Sequence, residues 1–536
     1  MNLDKDNPKA DLWVATWVVF AITLAVVVFA RIRLLGLPLE RDEGEYAYTG
    51  QLILRGIPPY QFAYSMKFPG TSLAYALMMS IFGESTRGVH LGLIAVNLIT
   101  VGLVFVVGRN LLGEIPGIAA ASAYSVLSLM PHVLGTAAHA THFVVLFSVA
   151  AIALLIRALN QRSTTLISAS GLLFGLAVLM KQPGIFFALF GAAYLFIIDY
   201  RARLKTGEIA RRSLLFVIGA AAPFLIMCLL LWNADVFHRF WFWTIQYAAT
   251  YGSQISVADG VRIFAGHFLG ALGTAWPIWA IAAIGLVVSV LNPALRTRAG
   301  FLPTLACFSG LAVCPGFYFR PHYFILLLPA VSLLAGTAVA AAFQGVTTNA
   351  EKVRVASLLL FTGSLVWPLW SEADFFFQRP LSEANRMING ANPFPESIRI
   401  GEFIREHSRP TDTIAVLGSE PQIYFYAGRL SATGYIYTYG LMEPQPYAHQ
   451  MQEEMINEIE TARPRFLVLI VLNKSWLSGR DSDLTIFRWA DSYCDANYEE
   501  VGLINISDQS TDYYLSGKPP VVTPAAEHIL IYRRKT

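Results

Sequence analysis

Eleven apolar stretches dominate the first 370 residues of this chain, and short polar segments separate them. Several approach the roughly 20 helical residues that are needed to cross a bilayer. Overall, 55% of the residues are hydrophobic and 14% are charged, whereas soluble domains contain about 25% charged residues. The sequence therefore predicts an α-helical polytopic membrane protein with spans at Leu12–Ala30, Val89–Val107, Ile115–Met130, Ala137–Ile156, Thr165–Met180, Pro183–Ile198, Leu214–Trp232, Phe268–Leu291, Gly300–Phe317, Tyr323–Phe343 and Val355–Trp370.

Residues 371–536 differ in character, because their charge density is higher and their apolar runs are shorter. The predicted elements are helices at Ser397–His407, His449–Ala462 and Asp483–Ser492, and strands at Thr413–Leu417, Arg465–Val471, Tyr498–Ile506 and Ile529–Tyr532. Strands that alternate with helices are typical of an α/β arrangement. We therefore expect a transmembrane domain over residues 1–370 and a smaller soluble α/β domain over residues 371–536.

Positive charge in the short loops predicts the orientation, because such loops are enriched in Lys and Arg on the cytoplasmic side. The segment Arg201–Arg212 is the strongest example, although Arg31 and Arg33 argue against the assignment. The stretch Thr71–Phe82 covers only about 18 Å as a helix and is read as re-entrant or interfacial. The N-terminus is thus predicted to be cytoplasmic. The first outer loop, residues 39–86, and the C-terminal domain are predicted to be extracytoplasmic.

The first outer loop carries four acids within six residues, namely Glu40, Asp42, Glu43 and Glu45. Charge beside a membrane span is costly unless it faces water, a partner charge or a substrate. A carboxylate at Asp42, with Glu43 as its neighbour, is suited to act as general base toward an attacking hydroxyl. The amine of Lys67, at the far end of the loop, is suited to neutralise a leaving phosphate or a carboxylate.

Two further cations are predicted on the same side of the membrane. Lys181 ends a span in GLLFGLAVLMKQPG, and Arg320 lies between two spans with His322 beside it. Transfer from a phosphate-linked donor requires a base for the acceptor and positive charge for the phosphate that leaves. The acidic loop and these cations together meet that requirement.

Plainer interpretations of the same residues remain open. Asp42 and Glu43 are also explained as ordinary interfacial acids that pair with neighbouring arginines, namely Arg31, Arg33 or Arg41. Lys181 and Arg320 are also explained as side chains that snorkel to lipid head groups.

Two other features also allow two interpretations. His139 and His142 are three residues apart on one helical face, which suits a metal pair, but no third ligand is near in sequence. The aromatic run Phe237–Gly252 is most simply an interfacial belt. The more specific interpretation is a platform that binds lipid or sugar. The net charge of +3 gives no indication of nucleic-acid binding.

Three ordered stretches resemble the GT-C superfamily of glycosyltransferases, most closely the branch that contains protein O-mannosyltransferases and bacterial aminoarabinose transferases. The stretches are RDEGEYAY…LILRGIPPYQFAYSMKFPG, GLLFGLAVLMKQPG and FYFRPHYFILLLPAVSLLAG, and the resemblance covers about residues 12–340. The segment NPFPESIRIGEFIRE…DTIAVLGSEPQIYFYAGR is similar to the outer domain of uncharacterised bacterial members.

The resemblance implies a polyprenyl-phosphate sugar donor and an inverting single displacement at the outer face of the bacterial cytoplasmic (inner) membrane. Asp42 matches the base of the family and Glu43 its neighbour. The residues expected to bind the donor phosphate or another part of the substrate are Lys67, Lys181, Arg320, His322, Glu45 and Tyr60.

This chain departs from the family pattern in two places. The loop reads Lys67-Phe68-Pro69-Gly70, where relatives often have two prolines, and the span near His139 has histidines where relatives often place an acid. The second departure leaves the identity of the sugar and any use of a metal open. Members of the branch resemble metal-independent enzymes, so neither a metal nor another cofactor is expected.

The resulting hypothesis is a membrane glycosyltransferase that transfers a sugar to the hydroxyl of a glycan, lipid or protein acceptor. Three alternatives stand beside it: a transporter or flippase for lipid-linked sugars, a ligase or polymerase that joins lipid-linked glycans, and a non-catalytic membrane scaffold. The juxtamembrane position of the acids argues against a transporter, because transport sites usually lie near the bilayer midplane.

Overall fold

The computed structural model describes residues 8–252, 254–292, 297–344, 350–507, 510–515 and 522–535. The α-helices of its first part are α1 (Pro8–Arg33), α2 (Arg41–Leu54), α3 (Gly70–Phe82), α4 (Thr86–Leu112), α5 (Glu114–Leu127), α6 (Ala140–Gln161), α7 (Thr164–Met180), α8 (Gly184–Arg201), α9 (Thr206–Asn233), α10 (Phe237–Trp241), α11 (Ala248–Gly252), α12 (Val257–Leu272), α13 (Trp276–Leu291), α14 (Thr297–Val313), α15 (Leu328–Gln344) and α16 (Ala350–Ser371).

Every predicted span coincides with helical structure, which confirms the polytopic membrane fold. Among the described residues, eight helical segments are long and apolar enough to cross a membrane. The other three predicted spans form the shorter helices α5, α7 and α14, of 14, 17 and 17 residues. Helix α3 has 13 residues, so it covers about 20 Å and is as short as the sequence predicts.

A mixed six-stranded sheet characterises the C-terminal part of the chain. Its helices are α17 (Leu381–Asn389), α18 (Phe394–Glu406), α19 (Gln422–Ala427), α20 (Tyr439–Met442), α21 (Ala448–Ala462), α22 (Asn473–Trp476) and α23 (Thr485–Asn497), and its strands are β1 (Thr413–Leu417), β2 (Leu430–Ser431), β3 (Phe466–Val471), β4 (Tyr498–Ile506), β5 (Thr511–Tyr514) and β6 (Glu527–Arg534). The order is β2-β1-β3-β6-β4-β5, with β1 parallel to β2 and β3 and the other pairs antiparallel.

The C-terminal part packs directly on helix α2 of the first outer loop. A Cβ atom on Gly44 would lie only 2.6 Å from the backbone nitrogen of Gln422, so the two segments touch backbone to backbone. The guanidinium of Arg41 forms an ion pair of 2.7 Å with the fully buried carboxylate of Glu420. Helix α2 is therefore held between the helical bundle and the sheet domain, and this contact positions the acids of its first turn.

Candidate active site

Helix α2 begins with a capping box that fixes the direction of its acids. The carboxylate of Glu40 accepts a hydrogen bond of 2.9 Å from the backbone N–H of Glu43, and the Glu43 carboxylate accepts one of 3.2 Å from the N–H of Glu40. Asp42 lies in the first turn, where the positive end of the helix dipole favours a carboxylate. Glu45 follows three residues later and therefore lies on the same face as Asp42.

Lys67 neutralises both of these carboxylates. Its Nζ lies 2.8 Å from Asp42 Oδ1 and 2.6 Å from Glu45 Oε2, and it stands 4.7 Å from the ring centroid of Tyr46. The hydroxyl of Ser65 donates to Glu45 and accepts a 3.1 Å hydrogen bond from the backbone N–H of Lys67. Lys67 is thus an ion-pair partner of the acids, which is one of the two roles that the sequence allowed for its amine, and its predicted contact with the donor phosphate stays a prediction.

These charges keep Asp42 ionised. Burial acts to raise the pKa of Asp42, but the charge of Lys67 and then that of His139 outweigh it and hold the pKa below its usual range. Within the described residues no hydrogen bond reaches Asp42 Oδ2, and His139 Nδ1 lies 3.9 Å from it. One carboxylate oxygen is therefore available to accept a proton or a hydrogen bond from a substrate.

Glu43 points away from this pair. Its Oε1 accepts a 2.6 Å hydrogen bond from the backbone N–H of Ala138 and lies 3.1 Å from His90 Nε2, and the residue is 2% exposed. The predicted catalytic role of Glu43 beside Asp42 does not fit this geometry, because the side chain is committed to linking α2 with the segment before α6. Glu43 is a structural residue here.

Tyr60 is also structural rather than open to a ligand. Its hydroxyl donates a 2.8 Å hydrogen bond to the carbonyl of Lys67, and its buried ring packs 5.5 Å from the ring of Phe240. The predicted substrate contact at Tyr60 is therefore replaced by support of the loop that carries Lys67.

Lys181 and Arg320 present positive charge without a carboxylate partner in the described part of the chain. Lys181 Nζ lies 3.5 Å from His322 Nε2 and 4.1 Å from the ring centroid of Tyr323. The guanidinium of Arg320 lies 5.6 Å from the ring centroid of Tyr318. Burial lowers the pKa of Lys181 to about 7 despite the nearby charge of Asp42. Both cations are thus left for an anionic ligand.

A row of contacts connects Lys181 with Asp42. The ring of His139 stacks on that of His322 with centroids 4.0 Å apart and an angle of 11° between the planes. Since His139 faces Asp42 Oδ2 and His322 faces Lys181 Nζ, the row runs from the carboxylate to the amine. Asp42 and Lys181 consequently lie at the same end of the helical bundle.

The two Lys-Xaa-Pro-Gly stretches interlock, and this sets the distance between their lysines. A Cβ on Gly70 would lie 2.4 Å from the carbonyl oxygen of Leu179, so only glycine permits the approach. The Thr71 hydroxyl donates to the carbonyl of Met180 at 2.8 Å, and the Gln182 amide donates to the carbonyl of Met66 at 2.9 Å. The loop end and the end of α7 are therefore fixed to each other by these contacts.

The alternative in which Asp42 and Glu43 pair with neighbouring arginines is wrong. Arg31 donates to the carbonyls of Ser128 and Gly135, at 2.7 and 3.0 Å. Arg33 donates to the carbonyl of Phe375 at 3.3 Å and Arg41 binds Glu420. The partner of Asp42 is Lys67, from the far end of the loop.

Three side chains are grouped closely enough to be considered for a metal. Asp42, His139 and His322 each offer a ligand atom within 4.8 Å of the others, and both buried nitrogens of His139 lack a hydrogen-bond partner among the described residues. Ligands on one zinc ion, at about 2.0–2.2 Å from it, would be closer together, and Lys67 and Lys181 already place positive charge beside the group. The fit is therefore loose, and the expectation of a metal-independent site stays a prediction. His142 is not part of this group.

Several side chains of the aromatic run over residues 237–252 pack against other parts of the protein. Trp243 stacks on Tyr64 with centroids 5.7 Å apart, and the Tyr247 hydroxyl donates to Glu443 at 2.8 Å. Arg239 forms an ion pair of 2.5 Å with Glu454 of α21. The run joins the bundle to the C-terminal part, so several of its side chains are engaged with protein and not with lipid.

Sequence reasoning missed three residues that shape the site: Ser65, Tyr437 and Glu420. The ring centroid of Tyr437 lies 5.5 Å from Lys67 Nζ. Alternating tyrosines in the stretch YIYTYG, Tyr435 to Gly440, were a visible signal for a surface that presents phenols. Ser65 and Glu420 had no such signal, because each acts through one partner that only the fold reveals.

Known proteins resemble this chain both in sequence and in fold. Residues 67–232 match the family described as dolichyl-phosphate-mannose-protein mannosyltransferase. The matched segment contains Lys67, His139 and Lys181 and lies beyond Asp42. A comparison with curated protein sequences finds no match.

Solved structures match over nearly the whole chain. The structure of ArnT from Cupriavidus metallidurans bound to undecaprenyl phosphate has a TM-score of 0.61 at 17% identity, and the match covers 96% of this chain and 98% of ArnT. The oligosaccharyltransferase AglB from Archaeoglobus fulgidus, in complex with an inhibitory peptide and a dolichol-phosphate, has a TM-score of 0.56 at 13% identity, covering 94% of this chain and 74% of AglB. Over residues 67–232 the chain is thus similar to a family of lipid-phosphate-dependent glycosyltransferases, and over nearly its whole length it shares the fold of ArnT and AglB.

Proposed function

We propose that this protein transfers a sugar from a polyprenyl-phosphate donor to an acceptor hydroxyl, with inversion, at the outer face of the bacterial cytoplasmic membrane. The observation that carries the proposal is the row from Asp42 to Lys181, which sets an ionised carboxylate against a lysine that has no carboxylate partner among the described residues. Arg320 is within electrostatic reach of both Asp42 and Lys181. The ArnT structure with undecaprenyl phosphate and the AglB structure with dolichol-phosphate support a lipid-phosphate donor.

The donor phosphate is placed at Lys181 and Arg320. An isolated buried cation is costly, and an anionic ligand removes that cost. Lys67 is unsuited to this task because two carboxylates already share its charge. His322 contributes by holding Lys181 Nζ at 3.5 Å, and the Tyr323 ring beneath Lys181 stabilises its ammonium through a cation–π contact.

Asp42 is placed as the general base. The acceptor oxygen attacks the anomeric carbon, its proton passes to Asp42 Oδ2, and the bond from the anomeric carbon to the phosphate oxygen breaks. The electron pair of that bond stays on the departing polyprenyl phosphate, whose additional negative charge meets Lys181 and Arg320. A single displacement of this kind inverts the anomeric configuration. Because the leaving group is a phosphate, no separate general acid is needed.

The orientation follows from the loop charges. The basic segment Arg201–Arg212 lies at the α8–α9 connection, whereas Asp42 follows α1 and Lys181 precedes α8. Positive charge at the first of these ends supports a cytoplasmic location for it. The site, and the C-terminal domain over residues 371–536 that packs on α2, then face the outside.

To test the proposal, purified protein is incubated without acceptor with a panel of polyprenyl-phosphate sugars. Released polyprenyl phosphate is then measured by mass spectrometry. Water replaces the acceptor, so at least one donor is expected to be hydrolysed slowly. A ligase or polymerase would instead require a lipid-linked glycan as donor, and a flippase would move donor across vesicles without releasing polyprenyl phosphate. Absence of release with every donor in the panel would refute the proposed donor class.

A further inference from the structure

Three tyrosines, Tyr435, Tyr437 and Tyr439, alternate where the chain enters α20, and they differ in what their hydroxyls do. The Tyr435 hydroxyl donates to Glu454 Oε2 at 2.6 Å, and the Tyr439 hydroxyl donates to the carbonyl of Lys474 at 2.7 Å. Both are therefore tied into the sheet domain. The Tyr437 hydroxyl has no hydrogen-bond partner among the described residues, and it is not one of the fully buried unsatisfied atoms. Of the three, Tyr437 alone has a hydroxyl left to bind something else.

Tyr437 faces the candidate active site. Its ring centroid lies 5.5 Å from Lys67 Nζ, and its ring meets that of Tyr439 edge-on with centroids 4.9 Å apart. Asp42 and Arg320 are both within electrostatic reach of its phenol. Burial together with the charge of Asp42 raises the pKa of Tyr437 well above its ordinary value, so the phenol stays a neutral hydrogen-bond donor.

The nearness of Tyr437 to both Asp42 and Arg320 has a chemical meaning. In a single displacement the anomeric carbon lies between the attacking oxygen, which is held by the base, and the phosphate oxygen that leaves. The transferred sugar ring must then occupy the space between Asp42 and the cations at Lys181 and Arg320. A phenol that flanks this space can hydrogen-bond to a ring hydroxyl and pack against the ring, and such polar contacts discriminate strongly between sugars.

We infer that Tyr437 is a substrate-contacting residue, supplied by the C-terminal part of the chain, which binds a hydroxyl of the transferred sugar and helps to select it. This inference rests on the proposed function and adds a specificity role for the C-terminal domain. The ligand class is a hydroxylated sugar ring attached to a lipid phosphate.

The inference is tested by measuring how fast the Tyr437→Phe variant hydrolyses the polyprenyl-phosphate sugar on which the wild type is active. The Tyr439→Phe variant is the matched control. Loss of one neutral hydrogen bond is expected to reduce kcat/KM about tenfold in Tyr437→Phe, whereas Tyr439→Phe stays within about twofold of the wild type. Binding of undecaprenyl phosphate, measured by its thermal stabilisation of the protein, is expected to be equal in all three proteins, because this ligand has no sugar.

Deoxy donors sharpen the test. With the wild type, one donor that lacks a single ring hydroxyl is expected to show a kcat/KM about tenfold lower than the complete donor. With Tyr437→Phe, the same two donors are expected to have equal kcat/KM, since both changes remove the same hydrogen bond. Unchanged hydrolysis by Tyr437→Phe would overturn the inference while leaving the proposed function intact. Weaker binding of undecaprenyl phosphate by Tyr437→Phe would also overturn it, because the contact would then be to phosphate. A wild-type protein that hydrolyses no donor would overturn the proposed function and this inference together.

Discussion

The two charged regions of the site are organised in opposite ways. At the start of α2, Asp42 and Glu45 share the ammonium of Lys67 at 2.8 and 2.6 Å. Across the stacked histidines, Lys181 and Arg320 lie against aromatic rings and a neutral histidine nitrogen, without a carboxylate partner in the described residues. In the paired region the charges are balanced by other side chains of the protein, whereas in the unpaired region the positive charge would be balanced only by a bound anion. In the proposed mechanism, this difference separates the place where a proton is accepted from the place where a phosphate binds.

The largest expected effect comes from Asp42→Asn. The amide keeps the size of the side chain but cannot accept the proton, so kcat should fall by about 10²–10⁴-fold, which is the usual contribution of a general base. The rate is measured as released polyprenyl phosphate with the active donor. Asp259→Asn, at an exposed acid on α12, is the control and should retain the wild-type rate. Near-parental turnover by Asp42→Asn would remove Asp42 from the role of base.

Stability should distinguish the paired lysine from the unpaired one. Lys67→Met leaves Asp42 and Glu45 adjacent and without a counter-charge, and loss of one partner from such a buried group costs about 3–5 kcal/mol. Lys181→Met removes a buried cation that has no carboxylate partner, so the donor-free protein should be as stable as the wild type or more stable. Thermal unfolding in detergent measures both variants. If Lys67→Met and Lys181→Met lowered the unfolding temperature equally, the paired and unpaired lysines would not differ in their contribution to stability.

A smaller effect on kcat/KM is expected when a change of pH titrates Lys181. Burial lowers its pKa to about 7, so the ammonium that binds phosphate is present below that pH and is lost as the pH rises through it. Since kcat/KM reports the free enzyme, kcat/KM for the donor should fall by up to about tenfold between pH 6 and 9. Lys181→Arg stays charged over this range and should give a flatter profile. A profile that is the same for both proteins would assign the pH dependence to another group.

The smallest effect is expected from chelation. Lys67 and Lys181 lie beside the Asp42, His139 and His322 group, and their charges oppose a divalent ion there. EDTA treatment followed by removal of the chelator should therefore change the hydrolysis rate by less than about twofold. Loss of activity that added Zn²⁺ or Mn²⁺ restores would show that the three side chains hold a metal.

Sequence patterns predicted those parts of the molecule that depend on local physics. The apolar runs located the spans because a bilayer selects for length and composition, and the strands Thr413–Leu417 and Tyr498–Ile506 have the predicted bounds. The direction of Glu43 was beyond prediction, because it depends on the backbone N–H of Ala138, 95 residues away. The same holds for Tyr437, which reaches Lys67 only after the sheet domain has packed on α2.

The contact of Gly44 with Gln422, backbone against backbone, limits how this protein can be re-engineered. A chimaera that receives the C-terminal half of a relative would set a foreign surface against a helix that has no side chain there to adjust. The salt link from Arg41 to Glu420 would be lost at the same time unless the donor protein supplied both residues. Residues 41–54 and the C-terminal domain therefore form one cassette, and they should be transplanted together.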